Sequence, residues 1–325
     1  MEAAYQKSRG EVIACALCPH NCLLKDGGRG LCGTRENQGG RLVALNYGQC
    51  TALAMDPIEK KPLYHFHPGS QILSVGTWGC NLACPFCQNW SISQGEAQSR
   101  DLSPGELVAL AQREKSIGIA YTYSEPLVWY EYVFETAQRA REVGLKNLLV
   151  TNGFLNPRPW ARLLPYIDGV NIDLKSLEED FYRRIVKGKL QPVLDNILAA
   201  AESTHLELTN LLLPGLNDGR EQVGSLVRWI ARELGRDIPL HLSRSFPAYR
   251  WQGEPTDGEH LIEMWRKARE ELDFVYIGNL DYPPGRDTYC PDCGQRLIKR
   301  GPWGVENSLI QGDCPHCGRA IPVVM

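Results

Sequence analysis

No stretch of this 325-residue chain approaches 18 consecutive apolar residues, so nothing in it reads as a bilayer-spanning helix. An excess of positive charge is missing too. Its 35 Lys and Arg face 38 Asp and Glu, for a formal net charge of −3, which gives no electrostatic footing on nucleic acid or an anionic membrane. The opening MEAAYQKSRGE lacks the apolar core of a secretory signal, and a cytoplasmic location is the expectation that follows. Thiols stay reduced there, so the 12 cysteines read as metal ligands ahead of disulfides. Internal repeats and low-complexity segments are absent as well.

Cysteine itself is missing from one long stretch, Cys87 to Cys290. The others gather in three groups: Cys15, Cys18, Cys22 and Cys32; Cys80, Cys84 and Cys87; and Cys290, Cys293, Cys314 and Cys317. Cys50 stands alone and reads as a small buried apolar residue. A cysteine-free body between cysteine-rich ends implies a core domain with two metal-stapled appendages.

That body alternates two kinds of pattern. Apolar runs bounded by turn residues occur at 72–75, 119–123, 147–151, 170–174, 206–213, 239–243 and 274–278. Helical stretches lie between them. One opens with Ser103 as N-cap, Pro104 at the first helical position and Glu106 completing a capping box. Two others end at Gly144 and Gly235, both placed as C′ glycines. The alternation argues for right-handed βαβ units and a mainly parallel sheet, open or partly closed. In either form, ligands gather beyond the C-terminal ends of the strands. The chain puts its polar and special residues there: the three-cysteine loop, then YSEP, TNG, DLK, PGLND and SRSFPAY.

The middle cysteines, C-x3-C-x2-C in GCNLACPFC, are three where a closed site would use four. Four thiolates complete a [4Fe–4S] cube, and three leave one iron open to a substrate. Zinc favours paired C-x2-C knuckles, so this spacing disfavours it. With an aromatic residue, Phe86, before the last cysteine and a strand before the loop, the motif resembles the radical S-adenosylmethionine (SAM) superfamily over residues 70 to 280. Within it, the chain resembles the pyruvate formate-lyase activating enzyme group. DPIEKKPLYHFHPGSQILSVGTWGCNLACPFCQNWSIS is most similar to the AmmeMemoRadiSam-system proteins.

The resemblance implies an α/β fold, a partial (β/α)6 barrel, and an enzyme that cleaves SAM reductively. Its 5′-deoxyadenosyl radical would abstract hydrogen from a substrate the sequence does not identify. Cys80, Cys84 and Cys87 would hold the cluster. Phe86, Ser124, Glu125, Thr151, Asn152, Asp173 and Lys175 are the expected SAM-site residues, with His241 and Tyr123 as substrate contacts. The match is uneven. Where the activating enzymes have Gly-Gly-Glu-Pro, this chain has Tyr123, Ser124, Glu125 and Pro126; Val150 stands in place of a cation-binding aspartate, and Thr209 in place of an arginine. Implied partners are an electron donor such as flavodoxin or ferredoxin, and Memo-like and AMMECR1-like proteins. Glycyl-radical-enzyme activase is the alternative within this class. A non-enzymatic multi-zinc interaction or nucleic-acid-binding protein is the alternative outside it, and the acidic net charge and the x3 spacing count against it.

The C-terminal group, C-x2-C-x20-C-x2-C, has zinc-ribbon spacing, with a glycine after each second cysteine for the tight turn. The N-terminal group, C-x2-C-x3-C-x9-C, fits a structural zinc or an auxiliary [4Fe–4S] cluster, and His20 could replace one thiolate. Three units are therefore expected: a cysteine-rich lead-in over 1–68, a barrel over 69–283, and a semi-independent zinc-ribbon-like module over 286–325.

Overall fold

The computed structural model describes residues 1–95 and 97–325. Eight strands form its central sheet: β1 (Ala52–Pro57), β2 (Gln71–Gly76), β3 (Gly118–Tyr121), β4 (Lys146–Thr151), β5 (Gly169–Asp173), β6 (His205–Leu212), β7 (Leu240–Arg244) and β8 (Val275–Gly278). Their spatial order follows the sequence, from β8 at one edge to β1 at the other. Strands β2 to β8 are parallel throughout. The edge strand β1 runs antiparallel to β2. All seven apolar runs are strands, and β1 is an addition that the sequence pattern did not reveal.

Six helices make the crossovers: α1 (Pro104–Arg113), α2 (Tyr130–Glu142), α3 (Pro157–Leu163), α4 (Gln191–Ala201), α5 (Arg220–Glu233) and α6 (Gly258–Glu271). Ser103 caps α1 in a capping box with Glu106, and Pro104 opens the helix. Gly144 and Gly235 take φ of +77° and +97° just past α2 and α5, in the left-handed region where a Cβ is costly. The strands carry near-continuous buried apolar residues such as Leu148, Leu149, Val170, Ile172, Leu240 and Leu242, as expected when both faces are covered. Residues beyond β2 and residues beyond β8 line one cavity, so the sheet curls, while its two edges stay unpaired. The result is a partial barrel.

The underside of the barrel is closed by the segment 58–70. His65 N–H donates to buried Glu207 (2.7 Å), Asn171 Nδ2 donates to the Pro62 carbonyl (2.7 Å), and Phe66 packs with Ile72 and Leu148. The C-terminal ribbon lies against the same region. Its antiparallel strands Thr288–Tyr289, Arg296–Gly301 and Gly304–Asn307 put Leu297 and Ile298 into a small core with Phe274 and Tyr276 of the barrel. Val324 bridges to Phe66. The tail is therefore docked against the barrel. A ribbon this short has too little apolar surface of its own, and it borrows the aromatic underside of β8.

The N-terminal region packs over α2. Arg35, buried to 1% exposure, makes a two-pronged ion pair with Glu131 at 2.7 Å. Trp129 Nε1 donates to the Asn46 carbonyl (2.6 Å) from beneath. Among the described residues, no helix is long and apolar enough to cross a membrane.

Candidate active site and metal centres

The cavity at the C-terminal ends of the strands encloses about 360 Å3. Cys80, Cys84 and Cys87 line it together with Phe86, Tyr123, Ser124, Glu125, Asn152, Asp173 and Lys175. Of the expected SAM-site residues, only Thr151 stays off the cavity wall, and it acts through Glu125. Its Oγ1 donates to Glu125 Oε1 at 2.6 Å, and Asn152 N–H donates to Glu125 Oε2 at 2.8 Å. Glu125 also accepts from Leu127 N–H (2.9 Å), capping the turn that leads into α2. The YSEP and TNG loops are thus locked by one carboxylate. Burial pushes that carboxyl up to about 7 against the pull of its three donors.

The cysteine loop is fixed from the same side. Asn152 Nδ2 sits 3.6 Å from Cys80 Sγ and donates to Asn81 Oδ1 at 2.9 Å. Asn81 Nδ2 donates to the Phe154 carbonyl at 2.6 Å. Leu82 N–H points at Cys80 Sγ (3.4 Å), and Ser93 Oγ lies 3.1 Å from Cys87 Sγ. Such donors favour anionic sulfur. Burial raises the Cys80 thiol well above its usual value and pushes Cys84 up to about 11, so these two thiols stay protonated when free. A metal's charge would be needed to ionise them, with release of protons. Lys175 supports the anionic form of Cys84. Burial opposes the lysine's own charge, yet Asp173, 3.1 Å away, and Cys84 together hold its pKa above the ordinary value. Three free thiols on the cavity wall, with N–H and ammonium groups aimed at them, fit an iron–sulfur cube.

The two proposed substrate contacts differ. Tyr123 lines the cavity with φ of +72°, in the left-handed region that favours glycine. Its hydroxyl donates to Asp56 Oδ2 (2.7 Å), and Lys61 lies over its ring, 4.6 Å from the centroid. Its carbonyl accepts from Asn89 Nδ2 at 2.7 Å. His241 is elsewhere. It points into the barrel two residues below Ser243, is 2% exposed, and bonds Glu207 Oε2 at 2.7 Å. Burial opposes the Glu207 charge, but His205 and His241 hold that carboxyl below its usual range. His241 is a satisfied core histidine, because a buried carboxylate on the next strand captures it. Trp129 and Tyr130 are core residues as well, with Trp129 stacked 3.9 Å from Tyr132.

Ser243, the first residue of the SRSFPAY segment, and Asn279 complete the cavity wall from β7 and beyond β8. Sequence reasoning passed over Asn279, which no motif marks. Thr209, where an arginine stood in the resembling activases, donates to Asn171 Oδ1 (2.8 Å) and leaves that wall uncharged.

The C-terminal cysteines form a tight tetrad. Cys290 and Cys317 sulfurs are 3.5 Å apart, those of Cys293 and Cys314 are 3.7 Å apart, and all four lie within 4.8 Å of one another. Two matching knuckles create it. Gly294 N–H donates to Cys290 O and Gly318 N–H to Cys314 O, with φ of +73° and +74° at the glycines. This donor set could hold one metal ion.

The sequence model of the radical SAM superfamily matches residues 75–230, which carry the cysteine loop and β3 to β6. An uncharacterized protein of Methanocaldococcus jannaschii is 40% identical over 330 residues, covering 99% of this chain and 98% of that one. The 4-hydroxyphenylacetate decarboxylase activating enzyme of Clostridium scatologenes is 22% identical over 167 residues, 50% of this chain and 54% of the enzyme. In fold, the chain is similar to a radical SAM methyltransferase from Sphaerobacter thermophilus. The TM-score is 0.52 at 15% identity, covering 91% of this chain and 80% of that chain. The superfamily implies a [4Fe–4S] cluster and SAM, for which the thiols, the cavity and the parallel barrel are in place. This chain belongs to the radical SAM superfamily.

Proposed function

We infer that the protein is a radical SAM enzyme whose Cys80, Cys84 and Cys87 hold a [4Fe–4S] cluster with one iron left open for SAM. When bound, that cluster supplies the electron that splits SAM into methionine and a 5′-deoxyadenosyl radical, which takes hydrogen from the substrate. The observation that carries this reading is the meeting of three free thiols, one buried and two half-buried, with Asn152, Asp173 and Lys175 in one cavity of about 360 Å3. Asn152 and Leu82 N–H steady the thiolate of Cys80, and Lys175 that of Cys84. Asp173 holds Lys175 and keeps one oxygen for the ligand. Glu125 fixes the two loops between which SAM would lie, and Tyr123 closes one side.

A one-electron donor of the flavodoxin or ferredoxin kind and a protein substrate are the partners we infer. The activating-enzyme relative supports hydrogen abstraction from a glycine of a partner enzyme, over the half of the chain that it matches. Memo-like and AMMECR1-like partners rest on the sequence resemblance. The C-terminal tetrad we assign to a structural zinc, since sulfurs 3.5 to 3.7 Å apart fit a tetrahedral ion.

Anaerobic reconstitution followed by dithionite and SAM tests the reading. The expected product is 5′-deoxyadenosine, and a colourless zinc protein that releases none would defeat it. Incubating the active enzyme with extracts of its native cell and mapping a changed glycine by mass spectrometry tests the activase form.

A further inference from the structure

The cysteines of the N-terminal region converge in space. Cys15 N–H donates to the Cys22 carbonyl (2.9 Å), folding the loop back on itself. Asn156, beyond β4, donates from its side chain to the Ala16 (2.9 Å) and Cys18 (3.1 Å) carbonyls and pins the first knuckle to the barrel. A Cβ placed on Gly30 would lie 3.7 Å from Cys32 Sγ and 3.8 Å from Cys22 Sγ. Cys15, Cys22 and Cys32 each act by charge on the Cys18 thiol. The four thiols are neighbours.

They are not, however, a zinc tetrahedron. Among the described residues, the C-terminal cysteines are the one group of three or more possible ligands whose ligating atoms all lie within 4.8 Å of one another. Any three of the N-terminal sulfurs therefore include a pair wider than that. Zinc–sulfur bonds of about 2.3 Å put the sulfurs of a tetrahedral site about 3.8 Å apart. Thiolates on an iron–sulfur cube bind four separate irons and stand farther apart than that. Cys80, Cys84 and Cys87 likewise include a pair wider than 4.8 Å. His20 does not offer Nε2 as a substitute ligand, because that nitrogen is 2.7 Å from the Asn81 carbonyl.

The surroundings suit an anionic group. The buried Arg35 guanidinium acts on Cys15 and Cys32, and Thr34 Oγ1 is 3.2 Å from Cys32 Sγ. The group also adjoins the catalytic loop. His20 bonds the residue after Cys80, and a Cβ on Gly79 would come within 2.7 Å of the Cys32 carbonyl oxygen. Cys32 and Cys80 line one cavity of about 580 Å3.

We propose that Cys15, Cys18, Cys22 and Cys32 hold a second [4Fe–4S] cluster, complete in its four thiolates and seated against the loop that carries the first. Having no open iron, it binds no substrate and serves as a one-electron relay. It takes an electron from an external low-potential donor and passes it to the neighbouring cluster, with no bond made or broken. The relay role rests on the radical SAM reading of the Cys80 loop, whereas the presence of the cluster does not.

Three full-length proteins, reconstituted anaerobically with iron and sulfide, test it: the unaltered chain, a Cys80→Ala/Cys84→Ala/Cys87→Ala variant, and a Cys18→Ala/Cys22→Ala variant. Iron, sulfide and zinc analysis should give about eight irons in the first and about four in each variant, each with about one zinc from the C-terminal tetrad. The zinc equivalent and an unchanged far-ultraviolet circular dichroism spectrum report folding. Mössbauer spectra of the triple variant should show cubane iron. A triple variant that takes up a second zinc and no iron overturns the proposal, as does a single rubredoxin-type iron. Iron absent from the Cys18→Ala/Cys22→Ala variant alone would instead overturn the radical SAM reading and leave the N-terminal cluster standing.

Discussion

The C-terminal tetrad and the middle loop use the same ligand to opposite ends. In the tetrad, two superimposable knuckles bring four sulfurs within 4.8 Å, and no position is left for anything else. Two of its cysteines are exposed, and the other two are buried in the small core shared with Phe274 and Tyr276. In the loop, three thiols are spread along a single turn, face a cavity, and are flanked by Asn152, Asp173 and Lys175. A closed set of ligands makes a staple, and an incomplete one beside a polar cavity makes a reactive centre. Spacing and surroundings, not residue type, separate the two.

That contrast can be broken at its strongest point first. Cys84→Ala should abolish 5′-deoxyadenosine formation and remove about four irons, while the zinc stays. The barrel should remain folded, since Leu82, Cys84 and Phe86 are a small part of a core built mostly from strand and helix residues. Metal analysis and product yield from one preparation check this, and residual cleavage above the unreconstituted background would refute it.

A smaller effect is expected from Asp173→Ala. Both metals should remain, because Asp173 touches Lys175 and the cavity and no sulfur. Turnover should fall by about ten- to a hundred-fold, as a ligand-orienting oxygen is lost and Lys175 is released from its position. Iron content equal to that of the unaltered chain, with a lower 5′-deoxyadenosine rate, is the signature to look for. Loss of iron would place Asp173 in support of the cluster.

On the other side of the comparison, Cys290→Ala/Cys293→Ala should remove one zinc equivalent and leave iron and SAM cleavage in place. The damage should not stop at the ribbon. Cys290, Leu297 and Ile298 share a core with Phe274 and Tyr276, and Val324 N–H donates to the His65 carbonyl at 2.8 Å. Hydrogen exchange should therefore accelerate through residues 288–325 and also at 64–67. Exchange confined to the ribbon would show it to be a separate unit.

Much of this architecture is legible in the chain. The seven parallel strands, the Ser103 cap and the glycines at 144 and 235 follow from local patterns that tertiary packing reinforces. The cysteine spacings mark the three groups of thiols, and the C-terminal one is the tetrad that could hold a metal ion. What escapes is whatever depends on distant partners. Helices α3 and α4 are not among the helical stretches that the pattern marks; each carries proline in its first turn, Pro157 and Pro159 in one and Pro192 in the other, where proline suits a helix. Edge strand β1 has one buried residue, Asp56, among half-buried neighbours, so it lacks alternation. His241 and Lys175 look alike in sequence, as polar residues on strand ends. Only the neighbour decides, Glu207 in one case and the cysteine loop in the other.

The docking of the ribbon gives the subtlest test, through His65. This ring is fully buried, with Nδ1 donating to the Pro322 carbonyl (3.1 Å) and Nε2 accepting from the Tyr276 hydroxyl (2.6 Å). Burial, with Arg300 nearby, lowers its pKa to about 3 from an ordinary 6.5, against the opposing pull of Glu207. The folded state therefore favours the neutral ring, while the unfolded chain takes up a proton below about pH 6.5. Stability should be level above that pH and should fall as the medium is acidified towards pH 3. Between pH 7 and pH 5 the loss from this one group is about 2 kcal/mol. Urea unfolding at the two pH values, on the unaltered chain and on His65→Gln, isolates it. The variant starts less stable, since it forfeits one of the two bonds, but its stability should change less over that interval. An unchanged pH dependence in His65→Gln would mean that the histidine is not the group that ties the ribbon to the barrel in its neutral form.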